Sequence, residues 1–471
     1  MDMPLDFPLI GARSAVWLAA QLHLFFAAFV LGAPIFIVVS EWLGLRTGDH
    51  RYERLAKETT KVVAIAYSLT AVFGVLFAFV LMGPYQPVTN YLFKALYPVW
   101  VAYGALILLE TVCMYLYWYT WEPLSRSAAG KWTHIGIGVA LNVLGTAVML
   151  LMNAVTGFMN TPPKVIEGAS LWAMVDNVSW WPFNLHRFLG NVTFGGFVVA
   201  LFAAFMFLTS KKDEDRAFYD WMGYIGNLIG VGALMTMPLA GYILSRELFV
   251  YDAQLATFMM ADKLKGYFVM QGLLVVLLFL GANFYMWLSM QRIEGGARFA
   301  PHMKAIFGVL IAGGIIWVVP QNFFPDLLAK PPAGVSEQAL ILPERLLFLG
   351  LMVAKALAVT AIMIMTFVTY LLYRRARATG AIRWGRIDPM AQYVLIFIPA
   401  VAVYLMGLMG AVRSLTRMDY HIYGAVKDVT PYWYTVTLGH SSIMVAVITL
   451  LFFVFLAFIF WVGFVVGKTD D

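Results

Sequence analysis

Apolar runs long enough to cross a lipid bilayer recur along this chain, and that pattern admits few folds. They cover roughly 13–44, 60–83, 94–119, 132–157, 184–209, 218–245, 266–290, 303–320, 346–373, 389–411 and 433–466. A span of ~20 apolar residues rising ~1.5 Å each matches a hydrocarbon core of ~30 Å. No water is available there, so backbone groups must be satisfied within helices or a closed barrel. Barrel strands would alternate in segments of ~10 residues, whereas these runs are continuously apolar. The sequence therefore predicts an all-α polytopic membrane protein with eleven transmembrane helices. Composition agrees: 12% of residues are charged, about half the usual share of a soluble domain.

Basic residues set the orientation. Alternate loops collect Arg46, Arg51, Arg54, Lys57 and Lys61; Arg126 and Lys131; Lys211, Lys212 and Arg216; Arg292, Arg298 and Lys304; Arg374, Arg375, Arg377, Arg383 and Arg386; and Lys468. The opposite loops hold about half as many, so the positive-inside rule places the N-terminus outside and the C-terminus inside. This alternation requires the short eighth span with its Gly313-Gly314 pair. The net charge of +6 lies in loops and implies the bilayer as partner, with no nucleic acid. Met1–Leu9 lacks a basic n-region, so no cleavable signal peptide is expected. A lone Cys113 excludes an intrachain disulfide, and without Cys-x-x-Cys-His there is no covalent c-type haem.

With no internal repeat or soluble domain, residues 1–471 read as a single integral membrane domain. The outer connections read as ordered: 158–183 carries Pro162-Pro163 and Trp180-Trp181-Pro182-Phe183, and 321–345 carries Pro325, Pro331, Pro332 and Pro343.

An imidazole inside a membrane needs a partner: a polar side chain, a carbonyl or a metal. His23 lies about a third of the way into the first run, and His186 at the outer end of the fifth. Met352 is near the outer end of the ninth, and His440 a turn or two inside the eleventh. Four imidazole or thioether groups thus share the outer half of the bilayer on four helices. Haem iron takes His/His or His/Met pairs, and helix bundles build such sites from facing helices. Glu110, near the middle of the third run, is expected to be protonated, paired or on a proton path. Glu41 reads as interfacial, His134 as a helix-end cap, and His50, His302 and His421 as solvated loop residues.

At these residues the sequence resembles subunit I of the cytochrome bd quinol oxidases. Arg13, His23, Gly32 and Glu41 keep the spacing of that family's first helix. Lys131-Trp132-Thr133-His134, Asn142 and Thr156-Gly157-Phe158-Met159-Asn160-Thr161-Pro162 resemble its fourth, and Asn184-Leu185-His186 with Gly195 its fifth. Leu351-Met352-Val353-Ala354 is similar to the helix after its quinol loop. The likeness implies three stretches: bd-like helices over 13–245, two extra helices in place of the quinol loop over 246–345, and the last three helices over 346–471.

The resemblance implies that His186 and Met352 form the axial pair of a low-spin haem b. It makes His23 a ligand of a high-spin haem, and Glu110 a carboxylate on the proton route. Arg13 and Arg413 would be cofactor-binding. Two or more haems b are expected, with haem d as the family's third, in the inner membrane of a bacterium beside a second membrane subunit. The sequence also departs from the family. A second carboxylate is replaced at Ala102, and of the Glu-x-Gly-Arg-Gln-Pro-Trp stretch only Arg413 remains. A further haem would need another ligand, with His440 the candidate and Met409 a weaker one. Two functions stay open: a quinol-oxidising, oxygen-reducing haem subunit, or a haem b carrier linking the quinone pool to a periplasmic partner such as a c-type cytochrome.

Overall fold

The computed structural model describes residues 10–260, 263–319, 337–428 and 437–464, with the side chains at 254, 257 and 337–353 outside that description. Helices follow one another as α1 (Gly11–Thr47), α2 (His50–Met82), α3 (Gln86–Ala95), α4 (Tyr97–Tyr119), α5 (Trp121–Ser125), α6 (Ala128–Asn160), α7 (Leu171–Val175) and α8 (Trp180–Thr209). The second half adds α9 (Asp213–Leu234), α10 (Met237–Tyr251), α11 (Ala253–Met260), α12 (Lys265–Met290), α13 (Ala300–Val318), α14 (Glu337–Thr379), α15 (Pro389–Thr416) and α16 (Leu438–Phe464). A small antiparallel hairpin, β1 (Tyr420–Ile422) and β2 (Val426–Lys427), follows α15.

Among the described residues, 11 helical stretches are long and apolar enough to cross a membrane, including the short eighth at Gly296–Val318. The sixth, Asp213–Tyr251, is α9 continued by α10. The helix restarts there because Pro238, in the first turn of α10, has no N–H to continue the ladder. Of the proline-rich crossing expected at 321–345, residues 321–336 lie outside the described residues, whereas 337–345, with Pro343, form the start of α14 and not a loop.

Local chemistry fixes the helix ends. α1 stops where Gly48 takes φ 70° and returns its N–H to the Gly44 carbonyl at 2.9 Å. Asp49 then caps α2 by accepting from Arg51 N at 3.0 Å, and Ser127 caps α6 by accepting from Gly130 N at 3.0 Å.

The chain divides into two compact units. Unit 1 comprises Met1–Val199, Leu228–Lys265 and Met406–Asp471; unit 2 comprises Ala200–Asn227 and Gly266–Leu405. In unit 1, α1 lies against α2, α6 and α16, and Phe26 packs 4.8 Å from Phe452 and 5.6 Å from Phe73. A Cβ on Gly32 would stand 1.8 Å from the Asn191 carbonyl oxygen, so α1 and α8 touch backbone to backbone. Helix α4 turns only Val99, Glu110, Met114 and Tyr117 inward, while Tyr97, Val101, Leu108 and Tyr119 stay exposed, as suits a helix in lipid. The 158–183 connection is ordered as expected: Thr161 Oγ1 and Ser179 Oγ bond at 2.7 Å, and Trp180 Nε1 donates to the Leu150 carbonyl at 2.8 Å.

In unit 2, the turn after α12 is tied down by Arg292. Its guanidinium is fully buried and ion-paired with the equally buried Asp220. It donates to Tyr373 Oη at 2.8 Å and lies 4.3 Å from the Trp384 ring centroid. Gly385 N donates to the other Asp220 oxygen at 2.9 Å, drawing in the 380–388 connection. Removing one member of a buried pair strands the other charge. Asp220→Ala is therefore expected to destabilise the protein by about 3–5 kcal/mol, read as a lowered melting temperature in detergent. A melting curve superposed on that of the unaltered protein would contradict this.

Candidate cofactor site

Residues 13, 17 and 21 are successive turns on one face of α1, and position 23 is rotated by about 200° from 21. The first helix therefore presents two different chemistries. On the first face, Arg13 Nη1 pairs with Asp428 Oδ2 at 2.9 Å and Nη2 donates to the Ser414 carbonyl at 3.1 Å. Gln21, 2% exposed, lies so close to Gly410 of α15 that a Cβ there would stand 2.1 Å from Gln21 Nε2. Only glycine fits at 410. Arg413 lies one turn further along α15, and Arg417 directly follows the last residue of that helix.

Charge accumulates here. Arg413 is near enough to repel both Arg187 and Arg417, and Arg13 also repels Arg417. Arg187 Nη1 donates to Asn153 Oδ1 at 2.9 Å, and Asn153 Nδ2 to Asn184 Oδ1 at 2.7 Å. Arg417 Nη1 donates to the His421 carbonyl at 3.1 Å. Among the described residues, Arg187 and Arg413 have no carboxylate partner, while Asp428, which pairs with Arg13 and His421, also attracts Arg417. Four N–H donors are sealed from solvent without an acceptor among the described residues: Trp17 Nε1, Gln21 Nε2, Asn184 Nδ2 and Arg417 Nε. Sealed donors, and cations drawn partly out of water, are costly unless paired. An acceptor-rich anion, such as a porphyrin with two propionates, would satisfy them.

The imidazoles fit the same group. His23 points to α2, where its Nδ1 donates to the Thr70 carbonyl at 3.0 Å. That bond fixes the tautomer and leaves the Nε2 lone pair for a metal. A Cβ on Gly74 would stand 3.0 Å from His23 Cε1, so the glycine clears the ring. His186 Nδ1 is sealed and unpartnered among the described residues. Its ring lies beside Gly241 of α10, where a Cβ would approach Cε1 to 3.7 Å.

The remaining predicted residues fall as follows. The side chain of Met352 lies outside the described residues. His440 is exposed, with its backbone N–H bonded to Thr437 Oγ1 at 3.2 Å, and does not join the other imidazoles. Glu110 is 5% exposed; its carboxyl lies beside Gly145, where a Cβ would be 2.7 Å from Oε1, and near the Tyr67 hydroxyl. Glu41 and His134 are both buried and bonded to each other, and His134 Nε2 also donates to the Tyr117 carbonyl in the last turn of α4, so it caps a helix end from inside the protein. Trp17, Gln21, Arg187 and Arg417 were not singled out from sequence, although the 13/17/21 and 413/417 spacings carried the signal.

His421 is also not solvated. It packs edge-on against Tyr85 with ring centroids 4.6 Å apart. Burial pulls its imidazole down to about 4, with Arg417 and Arg13 adding to the shift and Asp428 opposing it. An unfolded histidine titrates near ~6.5. Between those values the unfolded state binds the extra proton, so the hairpin loses stability as pH falls from about 6.5 toward 4 and is insensitive above. Hydrogen exchange over 420–428, corrected for its intrinsic rate, should speed up from pH 7 to pH 5, and His421→Gln should flatten that response. A pH-independent opening would contradict the assignment.

The comparisons bear on this geometry. A family model described as cytochrome bd terminal oxidase subunit I matches residues 12–264. A protein of Bacillus subtilis (strain 168) described as "Putative cytochrome bd menaquinol oxidase subunit I" is 26% identical over 212 residues, 44% of this chain and 47% of that one. The chain thus spans about half the length of that curated relative. A solved structure, described as "The structure of bd oxidase from Geobacillus thermodenitrificans", aligns with TM-score 0.50 and 14% identity over 98% of both chains. That likeness is one of fold.

Proposed function

We infer the function from what the chain is: it belongs to the cytochrome bd terminal oxidase subunit I family. Haem cofactors go with that family. We propose that this chain carries two or more haems b, with haem d as a further one, and passes electrons from quinol or another donor to a high-spin haem that reduces oxygen. It would do so in the bacterial inner membrane beside a second membrane subunit, with the Arg13 end outside and the Glu41 end inside.

The observation that carries this reading is the gathering of half-buried cations and sealed, acceptor-less N–H donors around Arg13, Trp17, Gln21, Arg187, Arg413 and Arg417. Bound there, haem would supply the one-electron carriers and the oxygen-binding iron. The chain's own residues do the rest. His186 with Met352 would hold the low-spin iron, and His23, steered by the Thr70 carbonyl, the high-spin one. The arginines would anchor propionates, and guanidinium groups suit carboxylates because their paired N–H groups match both oxygens. Glu110 would hold a proton at its carboxyl in an otherwise apolar helix.

The test is spectroscopic. The complex purified from membranes should yield haem on extraction, bind carbon monoxide when reduced and consume oxygen with added quinol. His186→Leu should remove the sharp reduced α-band of a six-coordinate haem b, and His23→Leu should remove the carbon monoxide signal. Absence of extractable haem would overturn the proposal. Haem without carbon monoxide binding or oxygen uptake would leave the chain an electron carrier.

A further inference from the structure

The far end of α1, about 36 Å from Trp17 along the helix, carries a second polar centre in unit 1. Glu41, His134 and Tyr117 are 6%, 2% and 1% exposed and come from α1, α6 and α4. Tyr117 Oη donates to Glu41 Oε2 at 2.6 Å, and His134 Nδ1 meets Glu41 Oε1 at 2.7 Å. His134 Nε2 lies 2.7 Å from the Tyr117 carbonyl. A carbonyl can only accept, so Nε2 carries a hydrogen. The bond between Nδ1 and Oε1 then contains one proton with two homes: on Glu41 beside a neutral ring, or on an imidazolium beside a carboxylate. Both arrangements have zero net charge, so the pair holds the proton without adding a net charge to the interior.

This centre has a solvent side and an inner side. Toward solvent, α2, α5 and α6 bring the ion pairs Lys131–Glu53 and Lys57–Glu122, and Trp121 closes over the His134 ring at 4.7 Å. Glu53 also reaches Gly44, one turn from Glu41, where a Cβ would stand 2.8 Å from its Cγ. Inward, Tyr117 and Glu110 lie on the single buried stripe of α4, about 10 Å apart along the axis. On the facing helix, Gly138 lies against Tyr117 and Val38, and Gly145 against Glu110 and Leu31, so α6 puts no side chain of its own at either end and α1 supplies the apolar wall. Between them Asn142 donates through Nδ2 to the Gly138 carbonyl at 2.8 Å, while its sealed Oδ1 has no partner among the described residues. An orphaned buried acceptor in a polar seam calls for an ordered water.

We propose that the Glu41–His134 pair is the proton-loading station of this chain, filled from the Glu53/Glu122 rim and emptied along the Tyr117–Asn142 seam to Glu110. This rests on the functional reading above, which needs protons to reach buried haem. On discharge, the shared proton leaves the pair, breaking its O–H or N–H bond, and an O–H bond forms on the Glu110 carboxylate through water beside Asn142. The pair is left with one negative charge and recovers its proton from solvent water through the rim. No electron moves in either step.

Glu41→Gln keeps a hydrogen-bonding side chain but cannot release a proton, whereas Glu41→Asp can. With the intact complex, reduced and mixed with oxygen in the presence of a pH-indicator dye, Glu41→Gln should retain its haem spectra. Its proton uptake should slow by about 10²-fold or more, with uptake substantially restored by Glu41→Asp. Uptake at the unaltered rate in Glu41→Gln would overturn the proposal and leave the centre a clamp between helices. Should that variant not assemble, infrared difference spectra of the unaltered complex with isotope-labelled histidine decide. A labelled ring band that changes during turnover supports the station, and a silent one overturns it. An unaltered complex that consumes no oxygen overturns the functional reading and this inference together.

Discussion

Positive charge at the Arg13 end of unit 1 is the constraint to which the site answers. Four guanidinium groups gather where the bonded carboxylate among the described residues is Asp428. In a low-dielectric interior such groups repel one another, and their desolvation is recovered only through good hydrogen bonds to an opposite charge. The acceptor-less N–H groups of Trp17, Gln21 and Asn184 add to the same deficit. A bound dianion with acceptor oxygens would resolve both at once. The close fit of Gln21 against Gly410 then serves to hold a donor rigidly where that anion sits.

Helix α1 distributes the chemistry. One face carries Arg13, Trp17 and Gln21, another turns His23 to the Thr70 carbonyl, and its last turns bury Glu41 against His134 and Tyr117. Contact with α8 at Gly32 fixes its position, because any side chain there would meet the Asn191 carbonyl. The proposed anion anchor, metal-directed imidazole and proton-holding pair would therefore be set in register by one helix. Unit 2 depends on a different interaction, the buried Arg292–Asp220 pair that closes its connections. Here, too, a pair of opposite charges removed from water dictates which loops come together.

Much of the fold was legible because bilayer thickness imposes a length that sequence displays directly. All eleven spans were placed, most of them within several residues although the second helix begins ten residues earlier than expected, and the short eighth was recovered from charge alternation more than from hydropathy. The break between α9 and α10 was missed, although Pro238 marks it. Ligand candidates were legible as lone imidazoles in apolar runs. Their partners were not, because a carbonyl such as that of Thr70 has no sequence signature. The burial of His134 and His421 was missed for a related reason. A histidine at a helix end or in a loop is solvated unless something covers it, and the covering groups, Tyr117 and Trp121 in one case and Tyr85 in the other, come from distant positions.

A density map of the purified complex, at a resolution that separates propionates from protein, tests the central claim most directly. The account predicts porphyrin density with carboxylate arms reaching Arg413, Arg417 and the donors Trp17 and Gln21. Lipid or protein side chains filling that space, with the arginines paired to carboxylates of the chain itself, would contradict it.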